Sequence, residues 1–573
     1  MSRQPIALAL AGERLFVANR HSGTVSIIDP EAGRVLAELA VGDHLSDLAA
    51  SKDGRRLFVT DDRRDQLVML QQTGSSFEVV QRLSIGGAPV TVCPAHRHLF
   101  CSVASLWGRR VTLVSVPFDS KQKAGSGRSS LTVLWQIDLP FAPRVQCLSS
   151  DDAWLFVADS FGGNIAVIDI AAARLTSICR FDGHNIRGLA MNEAKQELVV
   201  AQQLLDEQIA TTQSHISWGG VISNVLRSIA LDALLPETSE GGQRIDSIPA
   251  ERQLAHWSLD PLGKTGDGMG DPGPILLTAS GRLIVTLSGV DKIALRLGSS
   301  RAFEHCLVGV HPVALVADSE EKRLFVANQF DDSISLVNLQ NGLVENVIAL
   351  GPRPELSAAD RGERLFYNAR LSLHGWYSCQ SCHTDGHTNG LKNDNLGDET
   401  YGFPKRIPSL LGTRQTAPWA WNGRQPQLAQ QVESSLRTTM HGPPRAASEA
   451  NIDDLVAFLE TLEPPPGLSR ARGISAHAIA ERGENVFNNA GCSACHIPPF
   501  FTSLQTYKVG LHDKSPAGKF NPPSLRGVSQ RGPYFHDSRA ATLRDVCERL
   551  HHGETELLPA ADLEALLAYL NTL

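Results

Sequence analysis

The 573 residues contain no apolar run of about 20, the length a helix needs to cross a bilayer, so no membrane-spanning helix is expected. Positive charge is not in excess. The 53 Lys and Arg against 61 Asp and Glu leave a net charge of −8, which provides no electrostatic footprint for nucleic acid or anionic lipid. Methionine is scarce, with five in the chain and Met440 the only one after residue 351. No leader is visible: Met1-Ser2-Arg3-Gln4-Pro5 runs straight into a strand-like segment, without the basic start and apolar centre of a secretory signal. Six of the ten cysteines (Cys93, Cys101, Cys147, Cys179, Cys306 and Cys547) are scattered, with no paired spacing. They read as small buried hydrophobes, with a disulfide or two as the open alternative.

What is present describes a globular chain of more than one domain. Hydrophobic residues make up 42% and charged residues 20%, values of an ordinary folded protein, and the length exceeds what one core organises. A short apolar motif recurs through the first 350 residues: Leu15–Asn19, Leu57–Asp61, Leu99–Val103, Leu155–Asp159, Leu198–Gln202, Leu283–Leu287 and Leu324–Asn328. Several copies are followed by a turn and an alternating strand, as in Thr24–Asp29 and Asn164–Asp169. Strands bounded by Gly, Asp and Asn turns at a period of about 42 residues are the signature of propeller blades. Seven copies predict an all-β, seven-bladed propeller over 1–350, similar to the YVTN-type propellers of bacterial surface and periplasmic proteins. Two places break the spacing. A polar stretch at 120–130 predicts a surface loop in blade three. The interval between Leu198 and Leu283 is about double and predicts an insertion over about 203–273, holding His215, Trp218, His256, Trp257 and the Gly-rich 266–271. That insertion is expected either to pack against the second half of the chain or to carry a substrate or metal site of its own.

The second half is organised around Cys379-Gln380-Ser381-Cys382-His383 and Cys492-Ser493-Ala494-Cys495-His496. Each reads C-x-x-C-H, the pattern for covalent c-type haem, in which two thiols bond the porphyrin edge and the adjacent His becomes the proximal iron ligand. Each also sits in the same longer context. Arg361-Gly362-Glu363 and Arg482-Gly483-Glu484 precede the motifs; Pro408-Ser409-Leu410 leading to Pro418, and Pro523-Ser524-Leu525 leading to Pro533, follow them. An apolar helical run closes each unit. The pattern predicts a mainly α, two-lobed domain, with lobes at 351–466 and 467–573 and one covalent haem in each. Zinc is the competing occupant of the cysteine pairs, but structural zinc sites bring their pairs closer in sequence.

The flanking residues resemble those of bacterial di-haem cytochrome c peroxidases and the related enzyme that matures methylamine dehydrogenase. Arg406-Ile407-Pro408-Ser409-Leu410, Trp419-Ala420-Trp421-Asn422-Gly423-Arg424 and Leu428-Ala429-Gln430-Gln431 are similar to the first lobe of that family. Pro522-Pro523-Ser524-Leu525-Arg526, Gly532-Pro533-Tyr534-Phe535-His536-Asp537 and Thr542-Leu543-Arg544-Asp545-Val546 are similar to the second. The resemblance implies His383 and His496 as proximal ligands, Trp421 as a relay between two haems, Gln431 beside the open face of the first, and a calcium ion between the lobes, for which no ligand set is visible. Two departures stand out. Where the family's peroxidases carry an acid–base glutamate, this chain has Arg437-Thr438-Thr439-Met440-His441, with Glu433 the nearest carboxylate. The second-lobe methionine ligand is also missing around Leu550-His551-His552. Met440 is then either a haem ligand or a core gap-filler, and His551 or His552 a candidate sixth ligand of the second haem. His387, His441 and His512 are weaker candidates.

The expected function is that of a periplasmic oxidoreductase passing electrons between two haems, to reduce peroxide or oxidise a substrate, in exchange with a small redox protein or other electron donor or acceptor. The periplasm follows from the chemistry of haem attachment, with any leader lying outside this numbering. The alternatives are a non-catalytic electron carrier whose propeller docks a partner dehydrogenase, an active propeller using the haems as acceptor, and a maturation role on another protein.

Overall fold

The computed structural model describes residues 2–117, 130–235, 250–253, 257–297, 302–475, 477–510 and 518–573. They fall into two compact units. The first comprises 1–203, 224–262 and 271–354; the second comprises 204–223, 263–270 and 355–573.

The first unit is a seven-bladed propeller. Each blade carries a four-stranded antiparallel meander, beginning with Pro5–Ala11, Arg14–Asn19, Thr24–Asp29 and Arg34–Ala40 and ending with Pro312–Ala317, Arg323–Asn328, Ser333–Asn338 and Leu343–Ala349; in the fourth, Ala250–Gln253 adds a fifth strand, parallel to Arg174–Arg180. The repeated motif forms the second strand of every blade. Its apolar run is continuous rather than alternating because neighbouring blades cover both of its faces: Leu15, Phe16, Val17 and Ala18 are all 0% exposed. An outermost strand such as Ser76–Ser84 alternates instead. The Asn that ends the motif has its own job. Asn19 Nδ2 donates to Thr24 Oγ1 and Ser26 Oγ at 2.9 and 2.8 Å, and Asn328 does the same to Ser333 and Ser335 at 3.0 and 2.9 Å. The buried side-chain N–H groups thus find their acceptors on the next strand.

The ring closes between the first and last blades without sharing a strand. Leu15, Val17 and Ile28 pack with Phe325, Ala327 and Ile334. The carboxylate of Asp332 accepts from the backbone amides of Arg3 and Gln4 and from the Ser2 hydroxyl, at 2.7–3.1 Å. Among the described residues the doubled interval holds no eighth blade. It contains the outer strands of the fifth blade, Ile222–Ala230 and Trp257–Pro261, together with segments that belong to the second unit. The blade-three loop, apart from Ser130, and His256 and His512 lie outside the described residues.

The second unit is mainly helical and built twice over. In the first lobe, α1 (Ala358–Phe366) begins at a capping box, in which Ser357 and Asp360 each bond the other's backbone amide, the arrangement that settles orphan donors at a helix start. It packs on α2 (Glu449–Leu459). In the second lobe, α3 (His477–Asn489) packs on α4 (Ala560–Leu570). The Arg-Gly-Glu repeat explains both pairings. Arg361 forks onto Asp454 at 2.7 and 2.8 Å, and Arg482 meets Asp562 at 2.7 Å. The glycine lets each helix approach closely: a Cβ at Gly362 would stand 1.9 Å from the Asp454 carbonyl oxygen, and one at Gly483 1.9 Å from that of Ala565.

The insertion segments join the first lobe's core. Ile216, Val221 and Ile222 cluster with Phe366, Trp376, Tyr377 and Met440. Trp376, 4% exposed, is seated against Gly219, Gly263 and Gly268, where a Cβ would come within 2.3–2.9 Å of it. The Thr211 carbonyl accepts from His441 Nε2 at 2.8 Å. Of the insertion's other notable residues, His215 Nδ1 bonds the Ala210 carbonyl at 2.8 Å and Trp218 is exposed. Trp257, on the propeller, lies under the Arg227 guanidinium at 4.3 Å. The close seat of Trp376 accounts for Gly219, Gly263 and Gly268.

Candidate haem sites

The first C-x-x-C-H folds as a single helical turn, Cys379–Cys382, started by a capping box between Ser378 and Ser381. His383 follows at once, so the turn fixes its position relative to both thiols. Its Nδ1 lies 2.9 Å from the Pro408 carbonyl. A carbonyl only accepts, so Nδ1 carries the proton and Nε2 is left with a lone pair. Burial pushes this imidazole down to about 4, which keeps it neutral, as a metal ligand must be. The second motif repeats the device: His496 Nδ1 donates to the Phe501 carbonyl at 3.1 Å, and burial takes this ring to about 4 as well. Anchoring one ring nitrogen to a backbone oxygen orients the other toward a metal.

His383, Cys379 and Cys382 line a cavity of about 320 Å3 whose walls come from both lobes. The same walls include Gln431, Met440, Trp419 and Trp421. Met440 is 4% exposed. It closes a π-helical turn, Ser435–Thr439, with its amide donating to the Ser435 carbonyl at 2.9 Å. Its own carbonyl accepts from Leu373 at 2.9 Å. π-turns of this kind gather at functional sites. The Gln431 amide donates to Ser435 Oγ at 3.2 Å. Glu433 is spent on an exposed pair with Arg437 at 2.8 Å, and no carboxylate is among the described residues lining the cavity.

In the second lobe, the His496 and His552 rings face each other with centroids 6.5 Å apart and planes at 71°. Phe535 packs edge-on to His552 at 5.3 Å. His551, by contrast, is exposed. The turn before it is a second π-turn, Asp545–Arg549. The Gly442 amide bonds Leu436 and the His552 amide bonds Val546 in corresponding places. The lobes thus share the backbone device but differ in its useful side chain: Met440 ends the turn in one, and His552 stands two residues past the matching Leu550 in the other.

Trp421 connects the lobes. Its indole Nε1 donates to the Arg406 carbonyl at 2.7 Å. The Arg406 amide in turn donates to the His536 carbonyl at 2.6 Å. The Trp421 and His536 rings meet at 6.3 Å, and His536 stacks on Phe520 at 4.4 Å. His387 is occupied elsewhere, with Nδ1 on Ser409 Oγ and Nε2 on the Gln530 carbonyl, both at 2.9 Å. Among the described residues no disulfide forms, and no group of three or more His, Cys, Asp or Glu could hold a metal ion.

Two thiols, an oriented neutral histidine and a largely apolar cavity fit covalent haem c, and the fold and site together define a haem-c oxidoreductase domain that follows a propeller in the chain. Residues 357–471 match the family model described as di-haem cytochrome c peroxidase. The chain is 28% identical over 270 residues to hydrazine synthase subunit gamma of Kuenenia stuttgartiensis, covering 37% of this chain and 76% of that one. It is 25% identical over 268 residues to cytochrome c551 peroxidase of Nitrosomonas europaea, covering 38% and 79%. It is 27% identical over 250 residues to the methylamine utilization protein MauG of Methylorubrum extorquens, covering 34% and 68%.

Sequence reasoning gave no role to Arg406, Arg531 or His536, although Arg406 and His536 stand inside the motifs quoted above. Their signal was available, because each breaks the internal repeat. Asn521 stands where the first lobe has Arg406, Thr416 where the second has Arg531, and Trp421 where the second has His536.

Proposed function

We propose that this protein is a periplasmic oxidoreductase with two c-type haems, in which the first site would leave its haem open to an oxidant or small substrate and the second would serve to store and pass electrons. The observation that carries this reading is the convergence of His383, Met440, Gln431 and Trp421 on one cavity. When bound, the haems supply one-electron chemistry, and the first supplies a place for an oxidant or small substrate. His383 would hold the haem of the first site and His496 that of the second. Met440, a soft thioether on the wall of the first cavity, would be available to the first haem as a further ligand. His552, whose ring lies 6.5 Å from that of His496, would be available to the second.

Gln431 offers a neutral amide to whatever enters, but it does not exchange a proton as a carboxylic acid does. The cavity, lacking a carboxylate among its described lining residues, is poorly equipped to cleave peroxide heterolytically. Trp421, hydrogen-bonded through Arg406 toward His536, carries electrons between the lobes. Relatives named as peroxidases and as a methylamine utilization protein suggest peroxide as the oxidant and another protein as the electron partner. The compartment follows from covalent haem attachment, and no helix among the described residues is long and apolar enough to cross a membrane.

A second reading has specific support. Met440 and His552 together saturate both irons, which suits a pure electron carrier. Electron paramagnetic resonance of the oxidised protein and its Met440→Ala variant, before and after hydrogen peroxide, separates the two. A high-spin signal that peroxide consumes, present in the wild type or on half-reduction and enlarged in Met440→Ala, supports the enzyme. Two low-spin signals that ignore peroxide in every state leave the carrier.

A further inference from the structure

Arg406 and Arg531 line the same cavity as His383, Cys379 and Cys382. Arg406 is 6% exposed, and the Nε of each guanidinium is fully enclosed and donates to nothing. Burial lowers both to about 10, and for Arg531 the charges of Arg406 and Arg526 add to the effect. Both nevertheless remain ionised at neutral pH. Their partners are backbone carbonyls. Arg531 donates from Nη1 to Ser524 at 3.0 Å and from Nη2 to Leu411 at 2.9 Å, and Arg406 Nη2 donates to the Arg531 carbonyl. Neither pairs with a carboxylate among the described residues.

Two neighbouring cations buried without an anion are expensive, and a fold keeps them when a counter-ion arrives from outside the polypeptide. The planar fork of a guanidinium matches a carboxylate with two parallel hydrogen bonds. We propose that Arg406 and Arg531 form the propionate-binding site of the first haem and set its reduction potential; this rests on the haem reading of the cavity. Arg406 comes from the first lobe and Arg531 from the second, so the carboxylates are held from both sides of the lobe junction. The bonds of Arg531 to Leu411 and Ser524 tie that junction together around them.

The test uses the full-length holoprotein and its Arg406→Gln, Arg531→Gln, Arg406→Lys and Arg531→Lys variants. Covalent haem content is measured first, then both midpoint potentials by spectroelectrochemical titration. Removing a positive charge beside a propionate favours the ferric state, so each Gln variant should show a downward shift of the first haem with the second nearly unmoved. The Lys variants keep the charge but lose the fork, and should shift less; they also answer the question if a Gln variant fails to fold. Full haem loading with both potentials unchanged in the Gln variants, or in the Lys variants no shift beyond wild type where Gln variants do not fold and no change in the pH dependence of the potential, overturns the proposal. A wild-type spectrum that responds to added acetate, with that response abolished in the variants and the potentials unmoved, assigns the arginines to a free carboxylate instead and also overturns it. A purified protein without covalent haem would overturn the underlying haem reading, and is told apart by the first measurement.

Discussion

Trp421 and His536 are equivalent positions of the internal repeat, each the third residue after Pro418 and Pro533, and they pack against each other edge to face at 6.3 Å. The junction between the lobes is therefore built from two copies of one turn that meet back to back. Duplication placed an aromatic ring from each lobe at the same point, and the hydrogen bonds through Arg406 lock the pair.

Electron exchange between the haems should depend on that pair. Trp421→Phe keeps a ring but removes the indole N–H that bonds the Arg406 carbonyl. Rapid-mixing measurement of inter-haem electron transfer in the half-reduced protein should then show a slowing of roughly tenfold or more, about 1.4 kcal/mol in barrier. An unchanged rate would remove Trp421 from the path.

His552 and His551 should behave oppositely. His552→Ala opens the second haem, replacing a low-spin signal with a high-spin one, because it deletes the ring that faces His496. His551→Ala, at an exposed position, should leave the spectrum as it was. The same result for both variants would deny His552 its role as ligand.

The two helix pairs should tolerate no side chain at their glycines. Gly362→Ala and Gly483→Ala each force a methyl group against a backbone oxygen 1.9 Å away. The helices must separate, at a cost of about 1–3 kcal/mol or more. Thermal unfolding followed by the haem absorption of each lobe should show the affected lobe melting earlier. An unaltered melting temperature would mean that the helices slide apart without loss.

The propeller should weaken in acid through Asp62. Burial raises its carboxyl, but the Arg20 charge, at 3.0 Å, and the His44 hydrogen bond, at 2.5 Å, outweigh that and bring it to about 2. A carboxyl depressed in the fold stabilises it above its ordinary value near 4 and loses that contribution as pH falls toward 2. A shift of this size is worth about 2 kcal/mol. Asp62→Asn should lower propeller stability by about that amount at pH 7, with the difference vanishing as both proteins are titrated to strong acid. A deficit that stayed constant with pH would point to lost packing instead. Asp47 has the opposite sign: burial raises it to about 6, so its contribution declines as pH rises from about 4 to 6.

Much of the site is legible in the sequence. The C-x-x-C-H turns carry their own geometry, since two thiols and a histidine within five residues lie on one helical turn. Met440 stands out because no other methionine follows residue 351. The sequence does not reveal which of two adjacent histidines faces His496. A residue with left-handed backbone at His551 (φ 47°) turns the chain so that the next side chain, not this one, meets the ring. The insertion is equally opaque, because its glycines matter only for what sits on them, and Trp376 is more than a hundred residues away.

Local periodicity determined the propeller, the two C-x-x-C-H turns and the paired lobes, because strand alternation, turn residues and the closure of a single helical turn act over a few neighbouring residues. Tertiary structure alone decided how Met440 came to His383, Trp421 to His536, and Arg406 to Arg531. Those encounters depend on the close packing of distant segments, where a glycine in place of alanine or a buried charge without a partner sets the outcome. Single-sequence patterns do not encode such contacts.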